Sequence, residues 1–128
     1  MEKYITKKDY LEAKGVDLEL EIQDDDNHSN KVYRLIHEVT NWCIEYLVTN
    51  YDCNELLGLF TNLKEFRQDY FRQGVIEQIE YVLNNGWLNK DSGLNRELSG
   101  IVDLTRIQLG QNAYLKFRRG AFCNIPRA

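Results

Sequence analysis

The chain has 128 residues, 43% of them hydrophobic, with 16 Lys and Arg against 20 Asp and Glu and a formal net charge of −4. These values describe one globular domain of ordinary composition and argue against indiscriminate adhesion to nucleic acid, which needs a basic face or chain. No apolar run approaches the roughly 18 residues of a membrane span, and the opening Met1–Asp9 lacks a signal-peptide core, so no membrane partner is expected and the cytosol is the expected compartment.

The charge is unevenly distributed. Residues 1–26 carry Glu2, Asp9, Glu12, Asp17, Glu19, Glu21, Asp24, Asp25 and Asp26 against Lys3, Lys7, Lys8 and Lys14. Residues 104–128 carry Arg106, Lys116, Arg118, Arg119 and Arg127 with no Asp or Glu. A chain that is acidic at one end and basic at the other presents surfaces suited to docking.

Thr6 and Asp9 have capping-box spacing, which predicts a helix over 7–14 ended by Gly15 in the left-handed conformation. Val16, Leu18, Leu20 and Ile22 alternate with acidic residues, as in a strand, yet Asp17 also suits the cap of one helical turn. Both readings stand. Asp24, Asp25, Asp26 and Asn27 then place negative charge before a strong amphipathic pattern of Val32, Ile36, Val39, Cys43, Tyr46, Leu47 and Asn50, flanked by Leu35 and Trp42. This predicts a helix of about 22 residues, near 33 Å long.

A turn over 51–54 leads into a second long helical region, with apolar positions from Leu56, Leu57, Leu59 and Phe60 through Phe71, Ile79 and Leu83. A break is expected near Gly58 with a restart at Thr61. Gly74, inside the pattern, predicts close approach of another helix. Asn85-Gly86 marks the end of the region. From Trp87 to Gly100 the periodicity fails in a long connection, the kind of segment in which binding residues concentrate, and Trp87, Lys90 and Asp91 are its candidate contacts. Residues 101–109 read as a strand or another helix. Residues 111–119 form a last helix with Ala113, Leu115 and Phe117 apolar, stopped by Gly120. The fold expected is all-α: a bundle of about four helices with two long central ones, a long loop before the last helix and an extended C-terminal tail. The helical domain spans 1–119, followed by a tail over 120–128.

Catalytic and metal-binding patterns are lacking. His28 and His37 have no Cys or Glu at zinc-ligand spacing, and Asp24–Asp26 lack the second acidic cluster of a calcium loop. Glu77 and Glu80 share a helix face with Arg67 and Arg72, which suits a solvated charged face better than a carboxylate pair. No phosphate loop, dinucleotide fingerprint or serine nucleophile elbow is present. Cys43, Cys53 and Cys123 are an odd number without a Cys-x-x-Cys pair and read as free thiols. No enzyme, metal or cofactor is expected. Tyr114, Phe117 and Phe122 interleave with Lys116, Arg118 and Arg119, a composition found at protein interfaces and also on single-stranded nucleic-acid tracks. The acidic N-terminal third favours a protein partner.

The order of motifs is similar to the head-tail connector proteins, also called adaptor or head-completion proteins, of tailed bacteriophages. The resemblance rests on Tyr-Ile-Thr-x-x-Asp-Tyr at 4–10, Gly-Val-Asp-Leu at 15–18, Trp42 and Tyr46 on the first long helix, and Glu-Tyr-Val-Leu-Asn-Asn-Gly at 80–86 before Asp91-Ser92-Gly93. Leu-Gly-Gln-Asn-Ala at 109–113 and Asn124-Ile125 after Gly120 complete it. It spans most of the chain, with Trp87 a departure where the family pattern has Asp. The resemblance implies a non-enzymatic virion protein, present in the host cytoplasm before assembly. It would form a ring, typically dodecameric, beneath the portal protein, extend the DNA channel without sequence-specific binding, and receive the next neck or tail-completion protein. It also implies that the C-terminal segment docks on the portal, which makes 120–128 a docking tail.

With that role, Lys116, Arg118, Arg119, Phe122, Ile125 and Arg127 are the candidate docking residues, the last three in the segment Gly120–Ala128 that the resemblance places on the portal. Asp24, Asp25 and Asp26 are complementary to Arg118 and Arg119 for contact across neighbouring subunits or between ring and portal. The tail is expected to be disordered until docked. The main alternative is a small nucleic-acid-binding regulator using Lys116–Arg119; a third reading is a helical scaffold unrelated to viruses.

Overall fold

A computed structural model describes residues 4–22, 31–85 and 108–127. Among these residues there are five α-helices: α1 (Lys7–Lys14), α2 (Leu18–Glu21), α3 (Lys31–Asn50), α4 (Glu65–Asn84) and α5 (Gln111–Arg119). The protein is an all-α bundle built on the two long helices α3 and α4.

The local signals at the N-terminus act as the residues dictate. The Asp9 carboxylate accepts the Thr6 N–H at 2.8 Å, and the Thr6 hydroxyl accepts the Asp9 N–H at 3.3 Å, closing a capping box. Gly15 ends α1 at φ 69°, a left-handed position that a side chain would strain. The alternation over 16–22 resolves as a single helical turn rather than a strand. Asp17 caps it, accepting the Glu19 N–H at 2.9 Å, so that Leu18 is buried while Leu20 is 78% exposed.

The second long helical region is shorter than the periodicity predicts. Leu56 to Leu63 do not belong to a helix continuous with α4. They form two 3-10 turns, Asn54–Leu57 and Phe60–Asn62, and the long helix starts only at Glu65 rather than at Thr61. Gly58 and Leu59 between the turns are extended, so the backbone loses its helical register there. Each turn buries one large apolar side chain, Leu56 and Phe60, and leaves Leu57 and Leu59 outside.

The core combines Val32, Leu35, Ile36, Val39, Cys43 and Leu47 of α3 with Phe71, Val75, Ile76, Ile79 and Val82 of α4 and with Ala113 and Phe117 of α5. Phe71 is its aromatic hub. Its ring centroid lies 5.8 Å from Tyr4, 5.5 Å from Phe60, 5.6 Å from Phe117 and 5.7 Å from Phe122, so one side chain joins the N-terminus, the α3–α4 link, α5 and the tail.

Helix α5 runs antiparallel along α4, with Gly110 against Tyr81, Phe117 against Gly74 and Gly120 against Tyr70. A Cβ on Gly74 would lie 2.3 Å from the Phe117 ring, which is the close helix approach expected of that glycine. Gln78, wholly buried on α4, fixes where the chain enters α5. Its amide nitrogen donates to the Gln108 carbonyl at 3.0 Å and its carbonyl accepts the Gly110 N–H at 2.8 Å. Both polar ends are therefore satisfied, as a buried amide requires.

The C-terminal tail packs on the core, which differs from the expectation that it is disordered until docked. Phe122 is 1% exposed and packs on Phe71 and Phe117. Beyond it the chain pairs with the end of α3. Asp52 N–H donates to the Ile125 carbonyl at 2.7 Å, and Arg127 N–H donates to the Asn50 carbonyl at 3.0 Å, around an antiparallel bridge of Tyr51 with Pro126. A phenylalanine that loses most of its contact with water by folding back stabilises this strap by about 2–3 kcal/mol.

Candidate interaction surface

Arg67, near the start of α4, organises the end of the bundle where the strap lies. Its Nε donates to the Gly120 carbonyl at 2.8 Å, and a terminal nitrogen donates to the Ala121 carbonyl at 3.2 Å and to Glu55 at 2.7 Å. The guanidinium also covers the Phe122 ring at 4.5 Å from its centroid. These contacts hold the turn after α5, in which Ala121 takes a left-handed φ of 67° without being glycine. Gly120 itself is at φ −81°; a side chain there would meet Phe122 and Tyr70, so it serves for space rather than for handedness.

Arg127 is also engaged within the chain. Its guanidinium bonds to the Val48 carbonyl and to the Asn54 side chain, which makes it a latch for the strap rather than a free docking residue. Phe122 likewise leaves the docking set, because a ring buried in the aromatic core has no surface to offer. Three cationic side chains and one apolar one remain: Arg118, Arg119 and Ile125 are exposed and Lys116 is half-buried. Arg118 lies near the strap, where its charge favours the thiolate of Cys123. Burial and the neighbouring Cys53 outweigh it, and the thiol is pushed up to about 11. Cys53 is raised to about 11, chiefly by burial, and Cys43 higher still for the same reason. All three cysteines are free and buried, which leaves them weak nucleophiles at neutral pH.

Around the same strap, the α3–α4 link exposes Leu57 at 67% and Leu59 at 62%, α4 exposes Phe66 at 49% and the strap exposes Ile125 at 60%. The elements at this end of the bundle thus carry four exposed large apolar residues as well as the α5 arginines. Leu57, Leu59 and Phe66 were hidden from sequence reasoning because they fall on the helical rhythm of the region, even with the break expected near Gly58. The two leucines on either side of Gly58 were the available signal.

The opposite end of α4 is acidic. Lys14 of α1 reaches both Glu77 carboxylate oxygens at 2.8 Å and Glu80 at 3.2 Å, fastening α1 beside the C-terminal half of α4. Glu77 and Glu80 are therefore held by Lys14. Arg72 instead donates to the Tyr4 carbonyl and lies over Phe60, and Arg67 serves the C-terminal turn. Beyond the clamp, α1 and α2 expose Glu12, Asp17 and Glu21 together with Leu11 and Leu20.

The clamp has a pH signature. Burial, then Glu80, Glu21 and Glu77, push Tyr10 from the usual 10.0 to about 12. Burial alone would lower Lys14, but its hydrogen bonds to Glu77 and Glu80 prevail and raise it. Both folded-state values lie above the unfolded ones, so their contribution is complete below about pH 10 and is lost as pH rises through the folded values. Urea denaturation is expected to show stability falling between about pH 10 and 12, with about 2–3 kcal/mol of the loss due to Tyr10. Tyr10→Phe should remove that part, and an unchanged alkaline slope in the variant would count against it.

Asp24, Asp25, Asp26, Trp87, Lys90 and Asp91, along with His28, lie outside the described residues. His37 stacks on Tyr33 at 6.0 Å and meets Asn41 at 3.0 Å. Among the described residues no group of three or more His, Cys, Asp and Glu is placed to hold a metal ion, and no helix is long and apolar enough to cross a membrane. No family model, no curated protein and no solved structure matches this chain.

Proposed function

We propose that this protein is a structural neck component of a tailed bacteriophage. On this reading it forms a ring beneath the portal, extends the DNA channel and links the filled head to the next neck or tail component. It has no catalytic role, and DNA passes through the ring without sequence-specific contact. The order of motifs along the chain resembles the connector family. The observation that carries the reading is the exposure of Leu57, Leu59, Phe66 and Ile125, together with Arg118 and Arg119, on the elements around the N-terminal end of α4. Exposed apolar residues accompanied by arginines are the composition of a protein interface.

The same observation weighs against the nucleic-acid regulator. Of the cationic side chains at this end, Arg67 and Arg127 bond within the chain, which takes them out of any phosphate-binding set.

On this reading Lys116, Arg118, Arg119 and Ile125 are docking residues. Arg118→Glu with Arg119→Glu is expected to lower the yield of completed heads at least tenfold when the protein is added to portal-bearing, DNA-filled capsids, with the fold unchanged by circular dichroism. Normal completion by the reversed protein would remove these residues from the docking surface.

A further inference from the structure

The exposed side chains of α1 and α2 mirror those of the strap end in both apolar character and charge. Lys7 of α1 pairs with Glu19 of α2. Leu11 lies one helical turn beyond Lys7, and Leu20 is next to Glu19, so the two leucines flank one ion pair that ties the helices together. Both leucines are exposed, and Glu12, Asp17 and Glu21 around them are exposed too. The strap end offers Leu57, Leu59, Phe66 and Ile125 together with Arg118 and Arg119; α5 and the strap carry no acidic residue, while the link and the start of α4 add Asp52, Glu65 and the Glu55 held by Arg67.

We infer that the strap end of one copy of this chain receives the α1–α2 shoulder of the next copy. This inference names the partner of the docking end and rests on the connector reading for treating that end as a docking surface. Two further observations support a second copy as the occupant. Both surfaces combine exposed apolar side chains with charges, and on balance the charges are of opposite sign: Glu12, Asp17 and Glu21 outnumber Lys8 on the shoulder, and Lys64, Arg118 and Arg119 outnumber Asp52 and Glu65 at the strap end, where Glu55 is paired with Arg67. They are also different surfaces of one molecule: Lys14 sets α1 beside Glu77 and Glu80, whereas the α5 arginines lie at the N-terminal end of α4, where Gly120 meets Tyr70. A contact between two unlike faces is heterologous and passes from copy to copy, closing a ring when the rotation per step divides the circle. Opposed charges set the register and discourage pairing of like faces.

The test is a charge exchange read by light scattering and native mass spectrometry of the full chain. Wild-type protein at about 100 μM should self-associate, and more weakly as salt rises. Arg118→Glu/Arg119→Glu and Glu12→Lys/Glu21→Lys should each lose association at least tenfold, because each juxtaposes like charges. All four positions are on the surface, so both variants should keep the wild-type circular dichroism and melting temperature. Mixed in equal amounts, the two variants should associate again, because each reversed face then meets a reversed partner. Leu20→Ser should weaken association without altering the melting temperature. A wild-type protein that stays monomeric, association that survives both reversals, or a mixture that does not recover would overturn the inference. The connector reading fails separately. A ring on the portal with no rescue on mixing would sink only the pairing, and rescue on mixing with no ring on the portal would sink only the phage role.

Discussion

Gly74→Val is expected to destabilise the protein by about 3 kcal/mol or more, a large share of the roughly 5–15 kcal/mol that holds an ordinary domain together. A Cβ at this position would sit 2.3, 2.6 and 2.7 Å from three atoms of the Phe117 ring. The ring is fully buried, with Phe71 and Phe122 against it, so it has no free volume into which to swing. Gly74→Ala should cost less, since alanine returns about 1 kcal/mol of helix propensity. Pairing Gly74→Ala with Phe117→Leu should recover part of the loss, giving a coupling energy of about 1 kcal/mol in a double-mutant cycle. Chemical denaturation measures all four corners. A Gly74→Val protein as stable as wild type would mean that α4 and α5 do not approach as described.

The second large effect is expected at Phe122. Phe122→Ala should cost about 3–5 kcal/mol, as truncation of a buried aromatic does, and should also free the strap. The ring is the strap's only fully buried side chain, covered by Arg67 and packed on Phe71 and Phe117. Without it the amides of Asp52 and Arg127, bonded to Ile125 and Asn50, should lose protection from hydrogen exchange. Ile125→Ala on the same strap removes an exposed side chain and should stay within about 0.5 kcal/mol of wild type. Equal exchange in wild type and Phe122→Ala would restore the picture of a tail that orders only on docking.

These residues also show which kinds of information the sequence exposes. Thr6, Asp9 and Gly15 act within a few residues of themselves, so capping and stop signals marked the ends of α1; Gly120 also marked the end of α5, although its role there is to leave room for Phe122 and the distant Tyr70. The stripe on α3 and Gly74 on α4 were legible because a helix repeats its faces regularly. The link over 54–63 was legible only as a break near Gly58: its leucines and Phe60 mimic helical spacing, which hid the two 3-10 turns and the later start of α4 at Glu65. The site depended on longer connections. Arg67 bonds to carbonyls 53 and 54 residues away, Lys14 to carboxylates 63 and 66 residues away, and Arg127 to a carbonyl 79 residues away. Composition reveals that these charges exist, but only the packed chain shows which are consumed internally and which are offered to a partner. Phe122 and Arg127 turned inward for that reason, while Arg118, Arg119 and Ile125 stayed outside. The polarity first visible as an acidic head and a basic tail thus survives as two surfaces, with fewer residues on the basic one.

The central claim, that this chain builds a ring beneath the portal, is tested most directly by imaging. Purified wild-type protein would be added to portal-bearing, DNA-filled capsids lacking neck components and examined by electron cryomicroscopy at the portal vertex. The predicted result is a ring of copies of this bundle coaxial with the portal, enclosing a channel continuous with it. Empty portal vertices at saturating protein would contradict the claim.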